Sequence, residues 1–172
     1  MLLALWRTFP YQLLLAYVPF ALALLALTAI DLEHRLLPDA ITLPNIILGL
    51  LFFLLLPDLI FWESAAGALS GAALFSGIAW AYEKLTGRRG MGWGDVKLLA
   101  MIGAFLGLRA LPWVILISAG LGTLAGLLQV VMKDSTRHHW RTLSLPYGPF
   151  LALGALGYLF GSAFLPAMFG GL

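Results

Sequence analysis

Cutting the chain at its charged residues leaves five long uncharged intervals: Thr8 to Ile30, Ala40 to Pro57, Ser64 to Tyr82, Ala110 to Met132 and Thr142 to Leu172. A spanning helix needs about 20 mostly apolar residues, so each interval predicts one membrane-crossing helix. A further apolar stretch, Leu98 to Leu108, is bounded by Lys97 and Arg109 and holds only 11 residues. Joined to the next interval it would form a 35-residue helix, which at about 1.5 Å per residue far exceeds a hydrocarbon core of about 30 Å. Two helices broken near Arg109 and Pro112 fit better, provided the first begins upstream and sinks Asp95 and Lys97 to the membrane boundary. The pattern therefore predicts an all-α, polytopic membrane protein with six transmembrane helices in a single domain over residues 1–172.

Charge placement gives the orientation. With six helices and the N-terminus outside, Arg35, Lys84, Arg88, Arg89, Lys97, Lys133, Arg137 and Arg141 fall on the cytoplasmic side, against Arg7 and Arg109 outside. That is the bias expected of cytoplasmic loops. Composition agrees: of 172 residues, 62% are hydrophobic and 10% charged, against about 25% charged in a soluble domain. A net charge of +2 is too small to call for nucleic acid as a partner. The absence of cysteine excludes disulfides, a thiol nucleophile and a cysteine-based zinc site. The first helix is expected to stay in the mature chain, because its 23-residue uncharged run exceeds the apolar core of a cleaved signal. Gly67 with Gly71, Gly103 with Gly107, Gly122 with Gly126 and Gly157 with Gly161 have the spacing of closely packed membrane helices.

Acidic residues near lipid are costly and hence informative. Asp58, Glu63, Glu83 and Asp134 read as solvated helix ends. Asp31, Glu33 and Asp39 follow the first helix, and Asp95 opens the fourth. Helix directions bring Asp31 and Asp95, 64 positions apart, to the cytoplasmic face. Two carboxyls held close do not both ionise easily, so one keeps a proton while the other can activate water. The glycines of Gly90-Met91-Gly92-Trp93-Gly94-Asp95 allow tight turns and close approach of another segment. Asp39 is expected to cap the second helix. His34, His138 and His139 lack metal-ligand spacing, and no metal site is expected.

Three blocks in order, Asp31 with Leu37-Pro38-Asp39, Gly92-Trp93-Gly94-Asp95-Val96-Lys97-Leu98-Leu99, and Leu145-Pro146-Tyr147-Gly148-Pro149-Phe150-Leu151-Ala152, closely resemble type IV prepilin peptidases. The resemblance implies a GxGD-type aspartyl protease of the bacterial inner membrane, with Asp31 and Asp95 as its catalytic pair and no metal or organic cofactor. Gly92, Gly94, Pro38, Asp39 and Lys97 would support the motifs. Its substrates would be prepilins or type II secretion pseudopilins, cut behind a basic leader at the inner interface, where Glu33 and Asp39 would attract the leader. Longer members of that family carry an N-terminal segment with paired cysteines and also N-methylate the new pilin terminus. With 30 residues before Asp31 and no cysteine, peptidase activity without methyl transfer is expected here. A presenilin-type intramembrane protease would need a tyrosine before the first aspartate, where Ile30 stands, and a Pro-Ala-Leu element. A non-enzymatic transporter or assembly component would favour ionisable groups in mid-helix rather than at helix ends.

Overall fold

The structure is a computed structural model, and the residues it describes are 11–55, 61–87, 92–132 and 146–164. Arg7, Asp58, Arg88, Arg89 and residues 133–145, with Asp134, His138 and His139 among them, lie outside this set. The described residues form six helices and no strand: α1 (Tyr11–His34), α2 (Asp39–Leu55), α3 (Phe61–Thr86), α4 (Trp93–Leu106), α5 (Ala110–Met132) and α6 (Gly148–Phe164). Three stretches, Ala16–His34, Phe61–Thr86 and Ala110–Gln129, are long and apolar enough to cross a membrane. The helices also turn large apolar side chains outward, including Leu22, Leu54, Leu69, Leu116 and Leu127. This is the surface of a multi-pass membrane protein.

The short stretch after Lys97 does belong to a separate helix. Helix α4 ends at Leu106, where Gly107 takes a positive φ of 78° and returns its N–H to the Gly103 carbonyl at 2.9 Å. That backbone conformation is open to glycine and costly for other residues. Arg109 then pairs with Glu63 at 3.1 Å, tying the turn to the start of α3. Glu63 is thus a bridge between elements rather than a merely solvated helix end.

Helix α4 is the hub. It packs against all five other helices, and from Leu98 to Leu106 every residue is buried. Phe20 of α1 stacks on Phe105 at 4.5 Å between centroids. Leu24, Leu27, Val114, Leu151 and Tyr158 complete the core around it. Against α3 the approach is backbone to backbone. A Cβ on Gly67 would collide with the Gly103 carbonyl oxygen, and one on Gly71 would lie 2.7 Å from the Leu99 oxygen. Ser64 Oγ donates to the Ala104 carbonyl at 2.6 Å along the same seam. In this antiparallel register Phe75 stands level with Asp95, and α3 continues 11 residues beyond it to Thr86.

Candidate active site

Helix α1 does not stop at Ile30 but runs on to His34, which places Asp31 in its last turn. Asp31 is buried, at 6% exposure. Arg35 donates its N–H to the Asp31 carbonyl at 2.9 Å and takes a left-handed φ of 54°, turning the chain out of the helix. Pro38 closes the connection, its carbonyl accepting from the N–H groups of Ile41 and Thr42 at 3.1 and 3.2 Å. Asp39 is therefore not the expected cap: Pro38 takes that position, and Asp39, in the first turn of α2, reaches Lys97 instead, with Nζ to Oδ1 at 2.6 Å.

The second segment is built on glycines. Gly92, extended at φ −74° and ψ 140°, starts α4, and its carbonyl accepts the Asp95 N–H at 3.2 Å. A Cβ on Gly94 would stand 2.8 Å from Leu37 Cβ, so the α1–α2 connection lies directly on the first turn of α4. Asp95, half-buried, is in that turn.

The third segment precedes α6. Gly148 donates its backbone N–H to Asp31 Oδ2 at 3.1 Å. Any Cβ there would fall 2.5 Å from that oxygen. Tyr147 is anchored on both sides of its ring, by a 3.1 Å hydroxyl contact with Ser118 and by Phe75 at 6.2 Å between centroids.

These segments enclose one cavity of about 820 Å³, whose walls include Asp31, Asp39, Asp95, Lys97, Tyr82 and Tyr147. Asp95, outside the three helices long enough to span, has its carboxyl pushed up to about 6, first by burial and then by the negative charge of Asp31. Both effects favour a retained proton. Among the sequence-predicted site residues, the cavity gathers Asp31, Gly92, Gly94, Asp95, Asp39 and Lys97. Pro38 shapes the loop behind them. Glu33 stays exposed beside His34, 3.8 Å away, and is not part of the lining. The reading from sequence missed Gly148 as a donor to Asp31, Leu37 as the partner of Gly94, and Tyr82 as a wall. Tyr82 is the last residue of the uncharged interval that predicted α3, where the pattern marks only the end of a spanning helix. Gly148 fell within a recognised block, but no spacing rule ties its N–H to Asp31.

Comparison with known proteins now bears on this arrangement. Residues 18–127 match the model of the type IV leader peptidase family, a range that takes in both Asp31 and Asp95. The prepilin leader peptidase/N-methyltransferase of Aeromonas hydrophila is 42% identical over 141 residues, covering 81% of this chain and 47% of the relative. That of Pseudomonas putida is 36% identical over 162 residues, covering 91% and 53%, and that of Pseudomonas aeruginosa 37% over 144 residues, covering 80% and 47%. The chain thus spans about half the length of the curated relatives it matches. No solved structure matches it. With its family match spanning most of the chain and embracing both cavity aspartates, the chain belongs to the type IV leader peptidase family.

Proposed function

We propose that this chain is a membrane-embedded aspartic endopeptidase that removes the leader from type IV prepilins or type II secretion pseudopilins, with Asp31 and Asp95 as its catalytic pair. The observation that carries the reading is that these two carboxyls, 64 positions apart, line one cavity, where burial first and the charge of Asp31 second raise Asp95. Water between the carboxyls attacks the scissile carbonyl. The ionised carboxylate takes the water proton as the C–O bond forms, and the protonated partner hydrogen-bonds to the carbonyl oxygen as charge develops there. Collapse breaks the C–N bond, and the departing amine leaves with a proton from the pair.

The same reading has six crossings, an external N-terminus and a site at the cytoplasmic face of the bacterial inner membrane. Two tryptophans on α3 support the depth. Trp62 and Trp80 are exposed at 76% and 65% and lie 18 positions apart. That is five helical turns and about 27 Å, close to the hydrocarbon thickness, with both rings on one side of the helix. Tryptophans of this kind settle at the two membrane interfaces. Lys84 Nζ lies 4.8 Å from the Trp80 ring centroid, as suits a cation reaching toward headgroups. Phe75, level with Asp95, is five residues from Trp80, which keeps the acids near that boundary and away from mid-bilayer. The junction between a basic leader and an apolar helix would meet them there.

Asp31→Asn and Asp95→Asn should each abolish leader cleavage of a purified prepilin in detergent or lipid while the protein still inserts. Retained processing by either variant overturns the assignment.

A further inference from the structure

The walls of the cavity contain three carboxylates, Asp31, Asp39 and Asp95, and two cations, Arg35 and Lys97. By element, α1 and its exit turn contribute Asp31 and Arg35, α2 Asp39, α3 Tyr82, α4 Asp95 and Lys97, and the segment before α6 Tyr147. Lys97 follows Asp95 by two positions and carries its ammonium on a long flexible stem. Its Nζ is held by Asp39 Oδ1 at 2.6 Å, a charge-assisted contact with the Asp39 side chain 57% exposed. An ion pair that exposed adds little to stability. Its place matters more: were Asp39 neutral, the ammonium would remain in the cavity with Asp31 and Asp95 as the other carboxylates in its walls.

We propose that Asp39 is a positioning residue that holds the Lys97 ammonium away from Asp31 and Asp95, so that this pair can share a single proton. The inference rests on the reading of Asp31 and Asp95 as the catalytic pair. A cation within about 4–6 Å of a carboxyl favours its charged form, lowering its titration by about 1–3 pH units. The sign follows: a released ammonium strips the shared proton at lower pH, and the alkaline limb of the activity profile moves down. A simple brace between α2 and α4 behaves differently, because losing either partner, or both, breaks it equally.

The test compares prepilin cleavage by Asp39→Asn, Asp39→Glu, Lys97→Met and the double variant Asp39→Asn/Lys97→Met, with kcat, KM and pH profiles for each. Asp39→Asn is expected to lower kcat about tenfold near neutral pH, the consequence of moving a titration by about one pH unit. KM should change little and the alkaline limb should shift to lower pH. Asp39→Glu should keep most of the activity, and the double variant should recover most of what Asp39→Asn loses. Carbodiimide labelling of Asp95, which requires the protonated acid, should fall in Asp39→Asn and return in the double variant. A double variant as impaired as Asp39→Asn, or an Asp39→Asn enzyme with unchanged profile and labelling, overturns the proposal. Cleavage surviving Asp31→Asn or Asp95→Asn would instead overturn the catalytic pair, while the labelling still reports where the ammonium goes.

Discussion

Gly148 lacks a side chain where Asp31 needs the room. Its N–H meets Asp31 Oδ2 at 3.1 Å, and a methyl group would stand 2.5 Å from the same oxygen. Alanine is otherwise a good residue for a helix start, so Gly148→Ala should leave α6 formed and push the carboxyl out of place. The expected outcome is a fall in kcat of at least about tenfold, an effect typical of a displaced acid–base group, with an unchanged helical circular dichroism spectrum. A second prediction concerns Asp95, whose titration lies at about 6 because of burial and, secondarily, Asp31. Removing the negative charge with Asp31→Asn withdraws one of the two effects that favour the protonated form. The midpoint of carbodiimide labelling at Asp95 should therefore move to lower pH, though not to that of a free carboxyl, since burial persists. At this scale the aspartates were legible because acids beside lipid are rare, and helix direction alone put both at one face. The contact from Gly148 was not: a backbone N–H carries no sequence signature. Asp39 was misplaced as a cap because the rule for helix starts is local, whereas its partner Lys97 stands 58 positions away.

Between elements, the decisive contact is the seam of α3 on α4. Gly67 and Gly103 face each other so closely that a Cβ on either would enter the other's backbone. Gly67→Ala and Gly103→Ala should each destabilise the protein by about 1–3 kcal/mol, the range for overpacking a tight interface. Thermal denaturation in detergent measures it. The double variant should lose less than the sum, because helices already spread by one methyl group accommodate the second. The small-residue spacing at Gly67 and Gly71 was readable in the sequence, but not that α4 would be their partner. The break near Arg109 was anticipated from length and is fixed by the positive φ of Gly107. Helix ends were less legible. Helix α3 runs four residues past Tyr82 to Thr86, and α1 four past Ile30 to His34. Counting charges locates where lipid stops, and a helix with its backbone bonds satisfied need not stop there.

For the whole molecule, the proposed orientation can be read with chemistry the chain lacks. It contains no cysteine, so a single introduced thiol is unambiguous. Leu85, 86% exposed at the end of α3, and Leu108, 43% exposed between α4 and α5, lie at opposite ends of the bundle. In intact cells a membrane-impermeant maleimide should label Leu108→Cys and not Leu85→Cys, and in inverted vesicles the pattern should reverse. The opposite pattern would turn the site to the external face and remove it from the proposed leader.

The mismatch in length between α3 and α4 bears on how a substrate of the proposed peptidase would reach the acids. Since α3 rises 11 residues, about 16 Å, above the level of Asp95, the two acids sit at the foot of a wall on that side rather than on a flat ledge. A polypeptide running down that wall from its rim covers the drop with about five residues when pulled straight, at about 3.3 Å each. A coiled stretch of the same sequence covers less than half that depth. Under the proposed function that drop would act as a ruler: a leader drawn straight spans it in about five residues, whereas one that stays helical needs about eleven.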